Sequence, residues 1–139
     1  GATNYEIGRR PEEKLEQGFA LRVESGARTL VRRLDCDDFP EVRFCGEYPL
    51  GLVEYPDADV PVQVKLTAYS PFIPLDAADS ALPATVLQFT LKNVSGEPAT
   101  ATLGGWLENG VCIASGREMN GSRVNRVERS AGLTMVLIS

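Results

Sequence analysis

The sequence predicts an all-β fold, an antiparallel β-sandwich. Three observations lead there: apolar residues recur at every second position in several segments, turn-forming clusters separate those segments, and only one stretch carries a helical signature. Thirteen glycines and nine prolines in 139 residues suit a chain of many short elements joined by turns. That length suffices for one domain burying roughly two-thirds of its unfolded surface.

Taken in chain order, Pro11 followed by Glu12 and Glu13, with Gly18 beyond, predicts a short helix with acidic residues in its first turn. Residues 1–17 are therefore read as an N-terminal extension and residues 18–139 as the sandwich domain. Strands are expected at 19–24, 27–34, 41–46 and 50–55. In Pro61–Ser70, Val62, Val64, Leu66 and Ala68 share one face, and Gln63, Lys65, Thr67 and Tyr69 the other. Leu87, Phe89 and Leu91 alternate with Gln88, Thr90 and Lys92, and Ala99, Ala101 and Leu103 alternate with Thr100 and Thr102. Each pattern is that of a half-buried antiparallel strand. The punctuators Asn93 to Pro98 predict that the last two form a hairpin. Further strands are expected at 111–115, 122–129 and 132–138. The last, Gly132 to Ser139, is almost continuously apolar up to the final residue. Such a strand is expected to be covered on both faces or to continue into something else, which predicts that the chain is a piece of a larger protein.

Charge and composition exclude several functions. The net charge is −5, and residues 34–110 hold three basic against twelve acidic side chains. A field of that sign repels phosphate backbones, so no nucleic-acid partner is expected. No run approaches the roughly 20 apolar residues of a membrane span, and GATNYEIGRR lacks the apolar core of a secretory signal, so a soluble chain is expected. Histidine is absent, which removes Ser-His and Cys-His catalysis and most zinc chemistry. Cys36, Cys45 and Cys112 show no metal-ligand spacing and are read as free, buried thiols. No metal and no cofactor is expected.

Candidate contact residues cluster in Tyr69 to Asn109. Pro71, Pro74 and Pro83 stiffen the connection after Tyr69, and Asp79-Ser80 can fold a tight turn inside it. Phe72 and Ile73 in this loop either plug the core or are held against a partner surface. Trp106 follows Gly104-Gly105 and precedes Leu107-Glu108-Asn109. A lone tryptophan in a sandwich is most often core; beside a carboxylate and an amide it can also contact another domain or stack on a sugar face. Glu47, Glu54, Glu108 and the cluster Asp35, Asp37, Asp38 are carboxylates of the type that cleaves glycosides, but no spacing singles out a pair. Arg123, Arg126 and Arg129 would scatter over both faces of a strand, and two glycosylation sequons begin at Asn93 and Asn120.

The run from Cys45 to Val111, with Gly46-Glu47-Tyr48-Pro49, Ser70-Pro71-Phe72-Ile73-Pro74-Leu75, Asp79-Ser80 and Leu82-Pro83, closely resembles the N-terminal domain of glycoside hydrolase family 116. That family includes the non-lysosomal glucosylceramidase (bile-acid β-glucosidase) and bacterial β-glucosidases. The resemblance covers roughly Gly18 to Val111. It implies a β-sandwich, larger than this chain, packed on a helical (α/α)6 catalytic domain of the same protein that carries the catalytic carboxylates and handles the glycoside substrate. No catalytic residue is therefore carried over to this chain. Trp106, Tyr69, Phe72, Glu108 and Asn109 are the expected carbohydrate or interdomain contacts. The alternative is a free-standing carbohydrate-binding module using Trp106 and Tyr69.

Overall fold

The computed structural model describes residues 15–112 and 121–139. The chain divides into two compact units, residues 19–104 and residues 1–18 together with 105–139, each described by itself. The expected helix from Pro11 falls almost wholly outside the described residues, and β1 has already begun at Gln17.

Strands β1 (Gln17–Ser25) and β2 (Arg28–Arg33) pair as a hairpin with Ser25 opposite Arg28. The two-residue turn needs a positive φ at its first position, and Gly26 supplies it at +57°. β3 (Arg43–Glu47), β4 (Leu50–Tyr55), β5 (Val62–Tyr69) and β6 (Val86–Asn93) follow as an antiparallel meander of four strands. A short helix, α1 (Ala77–Ser80), lies in the β5–β6 connection. β7 (Ala99–Leu107) joins the free side of β1, completing a three-stranded sheet in the order β2-β1-β7.

The alternation read in the sequence explains how the two sheets meet. Leu21 and Val23 from β1 and Val62, Val64 and Leu66 from β5 form one buried cluster, closed by Phe39, Tyr55 and Val60. Phe39 and Tyr55 meet as tilted rings at 5.4 Å, and Phe19 of β1 packs on Phe89 of β6 at 4.7 Å. Burial raises the Tyr55 phenol pKa, with Cys36 and Asp35 adding to the shift. The all-β, antiparallel sandwich architecture thus holds.

Three expectations need correction. Asn93 to Pro98 do not close a hairpin: β6 belongs to the four-stranded sheet and β7 to the three-stranded one, so the chain changes layers there. Asn93 and Ser95 organise the crossing. Ser95 Oγ donates to Asn93 Oδ1 (2.7 Å), and Asn93 Nδ2 donates to the Glu97 carbonyl (2.8 Å). On β6 only Phe89 packs against the core, while Leu87 and Leu91 stay exposed because β6 is an edge strand. The three cysteines are free but exposed.

In the second unit, β8 (Asn125–Ser130) and β9 (Leu133–Ile138) form a two-stranded hairpin. Arg126 sits opposite Leu137 and Arg129 opposite Thr134, which puts the two arginines on opposite faces, as expected for a strand. The cross-strand pair Val127 and Val136 is exposed, as is Leu133, so the covering expected for this apolar segment is absent among the described residues. The strand expected at 111–115 lies largely outside the described residues, and Val111 and Cys112 form a turn. No described helix is long and apolar enough to cross a membrane.

Truncating a core side chain separates this architecture from a loose assembly of hairpins. Leu21→Ala should lower the unfolding free energy by about 2–5 kcal/mol, seen as a lower urea midpoint at unchanged slope. Val31→Ala, at an exposed position of the neighbouring strand, should shift stability by no more than about 0.5 kcal/mol. Equal losses at the two positions would contradict the core assignment.

Candidate functional site

Residues 70–85 connect adjacent antiparallel strands, with Tyr69 opposite Val86, so the loop projects from one end of the four-stranded sheet. Its interior is tied by backbone and side-chain bonds. Asp76 Oδ1 accepts from the Ala78 and Asp79 amides at 3.1 and 3.0 Å, satisfying donors at the start of α1. Ser80 Oγ donates to the Ile73 carbonyl (3.0 Å) and accepts from the Ile73 amide (2.9 Å). The Asp76 amide in turn donates to the Ile73 carbonyl at 3.0 Å. Ser80 thus acts as the sequence suggests, but the turn carboxylate is Asp76, and Asp79 contributes its amide.

This frame holds apolar side chains outward. Phe72 and Ile73, considered as core plugs, are about half exposed, at 50% and 47%. Leu75 is fully exposed, on a backbone with φ of +68°, a conformation that costs a branched apolar residue on the order of 1 kcal/mol. The Phe72 ring meets Tyr48 edge-on at 5.6 Å, and Tyr48 is itself exposed. The floor of the four-stranded sheet adds to this surface. By register Phe44 lies on the inner face with Val53, Leu66 and Phe89, yet it is exposed, its ring lying against Gly46 and Gly51. All five residues of β3 are exposed.

The second cluster belongs to the unit that includes residues 105–139. Trp106 is 42% exposed and therefore not a core residue. Gly18 lies beneath its six-membered ring so closely that a Cβ there would come within 2.8 Å of Cη2. Glu108 follows, its amide donating to the Glu16 carbonyl (2.7 Å) and its Oε2 accepting from the Glu16 amide (2.9 Å). Among the described residues, Glu16, Trp106, Leu107 and Glu108 line an open depression of about 520 Å³.

The expected contact residues therefore part company. Trp106 and Glu108 come together. Asn109 has a structural task instead: its Nδ2 donates to Asn125 Oδ1 (2.7 Å) and to the Val124 and Ser139 carbonyls (3.4 and 3.3 Å), fastening the hairpin base. Phe72 finds Tyr48, and Tyr69 is a half-buried residue at the end of β5, in register with Leu50 and Val86. Sequence reading missed Glu16 and Gly18, about 90 positions before Trp106, because only strand pairing brings them there. It also passed over Leu75 as a contact residue, whose backbone conformation leaves no mark in the residue types.

Four other candidate carboxylates, Asp35, Asp37, Asp38 and Glu54, have local duties, and Glu47 ends β3 at an exposed position. Asp35 Oδ1 accepts from the Asp37 and Asp38 amides at 3.0 Å, Asp38 Oδ2 accepts from the Arg33 amide at 2.7 Å, and the Arg33 guanidinium lies 3.5 to 3.8 Å from all three acids. Glu54 stands in register between Arg43 and Lys65 on the outer sheet face, with Lys65 Nζ at 3.9 Å. The hydrogen bond from Arg43 holds the Glu41 carboxyl below its usual range. Among the described residues no group of His, Cys, Asp and Glu is arranged to hold a metal ion.

A family model described as "beta-glucosidase 2, glycosyl-hydrolase family 116 N-term" matches residues 7–138. No curated protein matches the chain.

The loop frame is directly testable. Asp76→Ala and Ser80→Ala should each accelerate amide hydrogen exchange at Ile73, Ala78 and Asp79, with a local loss of about 0.5–2 kcal/mol, while β5 amides exchange as before. Unchanged protection in both variants would mean that the prolines alone fix the loop.

Proposed function

The chain belongs to the N-terminal domain family of glycosyl hydrolase family 116, and from that premise we propose that it is a non-catalytic sandwich that docks against a catalytic domain. The parent enzyme in this reading is a β-glucosidase or glucosylceramidase, and the partner is a helical (α/α)6 domain of the same protein. The loop end of the sandwich packs on that domain and shapes the rim of its sugar cleft, through which the glycoside substrate is bound.

The observation that carries the proposal is the outward-facing set Tyr48, Phe72, Ile73 and Leu75 on a framed loop. Exposed apolar side chains in one place mark interaction surfaces, and a surface that is already ordered loses little conformational entropy on docking. The strained φ of Leu75 agrees, since backbone strain gathers at clamps and binding sites. Four of the acidic candidates, Asp35, Asp37, Asp38 and Glu54, are tied to neighbouring cations or amides, which supports a non-catalytic role for them. A glycosidase needs two carboxyl groups facing across a cleft, about 5–10 Å apart.

Two measurements test this. Phe72→Ser and Leu75→Asp should each weaken association of the 139-residue chain with a family-116 catalytic domain by about tenfold or more, read by titration calorimetry, with far-UV circular dichroism unchanged. The chain alone should leave aryl β-glucosides intact. Hydrolysis that disappears on replacing one of its own carboxylates would sink the proposal.

A further inference from the structure

We infer that Trp106, backed by Gly18 and flanked by Glu16 and Glu108, is a stacking platform that binds a hydroxylated ring, a pyranoside, on the chain's own surface. A 42% exposed tryptophan leaves a large apolar plane in contact with water, although tryptophans are highly buried on average. This plane is not loose. The six-membered ring lies where the Gly18 side chain would otherwise be, so the Gly18 backbone supports it from one side. Any larger residue at position 18 would push the ring away. The arrangement is a rigid aromatic surface, backed on one side and facing an open depression of about 520 Å³ lined by Glu16, Trp106, Leu107 and Glu108.

The polar partners define the ligand. Ionised carboxylates only accept hydrogen bonds, so the occupant must be rich in donors. Glu108 is fixed for the purpose: the Glu16 amide holds Oε2 at 2.9 Å, leaving Oε1 free to point elsewhere. Among the described residues neither Glu16 nor Glu108 forms an ion pair. A flat apolar face edged by hydroxyl donors is the chemistry of a pyranose, whose C–H face stacks on the indole while its hydroxyls donate to the two carboxylates. An ammonium or guanidinium group would also suit an indole and two acids. Leu107 lines the depression beside the indole, and this added apolar surface favours a ring with a C–H face over a small cationic group. The platform shares no residue with the docking loop. Only the choice of a glucoside as probe rests on the family reading.

Trp106 is the sole tryptophan of the chain, so its fluorescence reports on this site alone. The 139-residue chain is titrated with methyl β-D-glucopyranoside and with cellobiose, and in parallel with arginine amide, at fixed ionic strength. The expected result is a saturable emission change with the sugars, with a dissociation constant on the order of 1 mM. Glu108→Gln keeps an acceptor for the Glu16 amide and should weaken sugar binding about fivefold, the difference between a charge-assisted and a neutral hydrogen bond. Leu75→Asp should leave the titration as it is. A flat sugar titration, an unaltered curve in Glu108→Gln, or a response to arginine amide alone overturns the inference. None of these outcomes bears on loop docking, which is read at Phe72 and Leu75.

Discussion

Leu21 and Val23 on β1 meet Val62, Val64 and Leu66 on β5, and residues 19–104 are arranged around that contact. It is a narrow one. These five side chains, with Phe39, Tyr55 and Val60, are all the apolar residues that become buried among the described residues, whereas twenty large apolar side chains stay exposed. Single exposed apolar residues are ordinary, whereas apolar side chains gathered in one place mark interaction surfaces. The four-stranded sheet is wider than the sheet opposite it, so Phe44 at one edge and Leu87 and Leu91 at the other keep their inner face without a cover.

From that constraint the functional reading follows with few further steps. The apolar surplus at the loop end is held in place by Asp76 and Ser80, which bond backbone amides and carbonyls that would otherwise need water. The outer sheet face contrasts with it: Arg43, Glu54, Lys65 and Thr90 stand in one cross-strand row, and Gln63 pairs with Lys92 beside it. Alternating charge suits that face to water, in contrast to the docking surface proposed for the loop end.

Much of the fold was legible because strand alternation is a local signal. β5 and β7 follow the pattern residue by residue, with Ala99, Ala101 and Leu103 half-buried and Thr100 and Thr102 exposed. β6 shows where the signal ends: the same period cannot tell a central strand from an edge, and Leu87 and Leu91 are exposed for that reason. Asn93 to Pro98 were legible as a turn but not as a change of layer, since turn chemistry fixes the local path and says nothing of the sheet that the next strand joins. The candidate site was half legible. Trp106 on β7 and Glu108 just past its end stand two apart in sequence, whereas Gly18 and Glu16 become their neighbours only through the β1–β7 pairing. Asn109 looked like a ligand group because amides often are, yet its three acceptors on the β8–β9 hairpin give it a structural role.

The claim on which this account turns is that the side chains around the proline-framed loop are covered when a catalytic domain is present. Hydroxyl-radical footprinting of Tyr48, Phe72 and Leu75, with and without a family-116 catalytic domain, measures that directly. The account predicts strong protection of all three on mixing, with Phe44 protected alongside them if the sheet floor is part of the interface and the exposed Val31 on β2 labelled as before. Equal labelling of Tyr48, Phe72 and Leu75 in the free and mixed samples, under conditions where the two proteins associate, would contradict it.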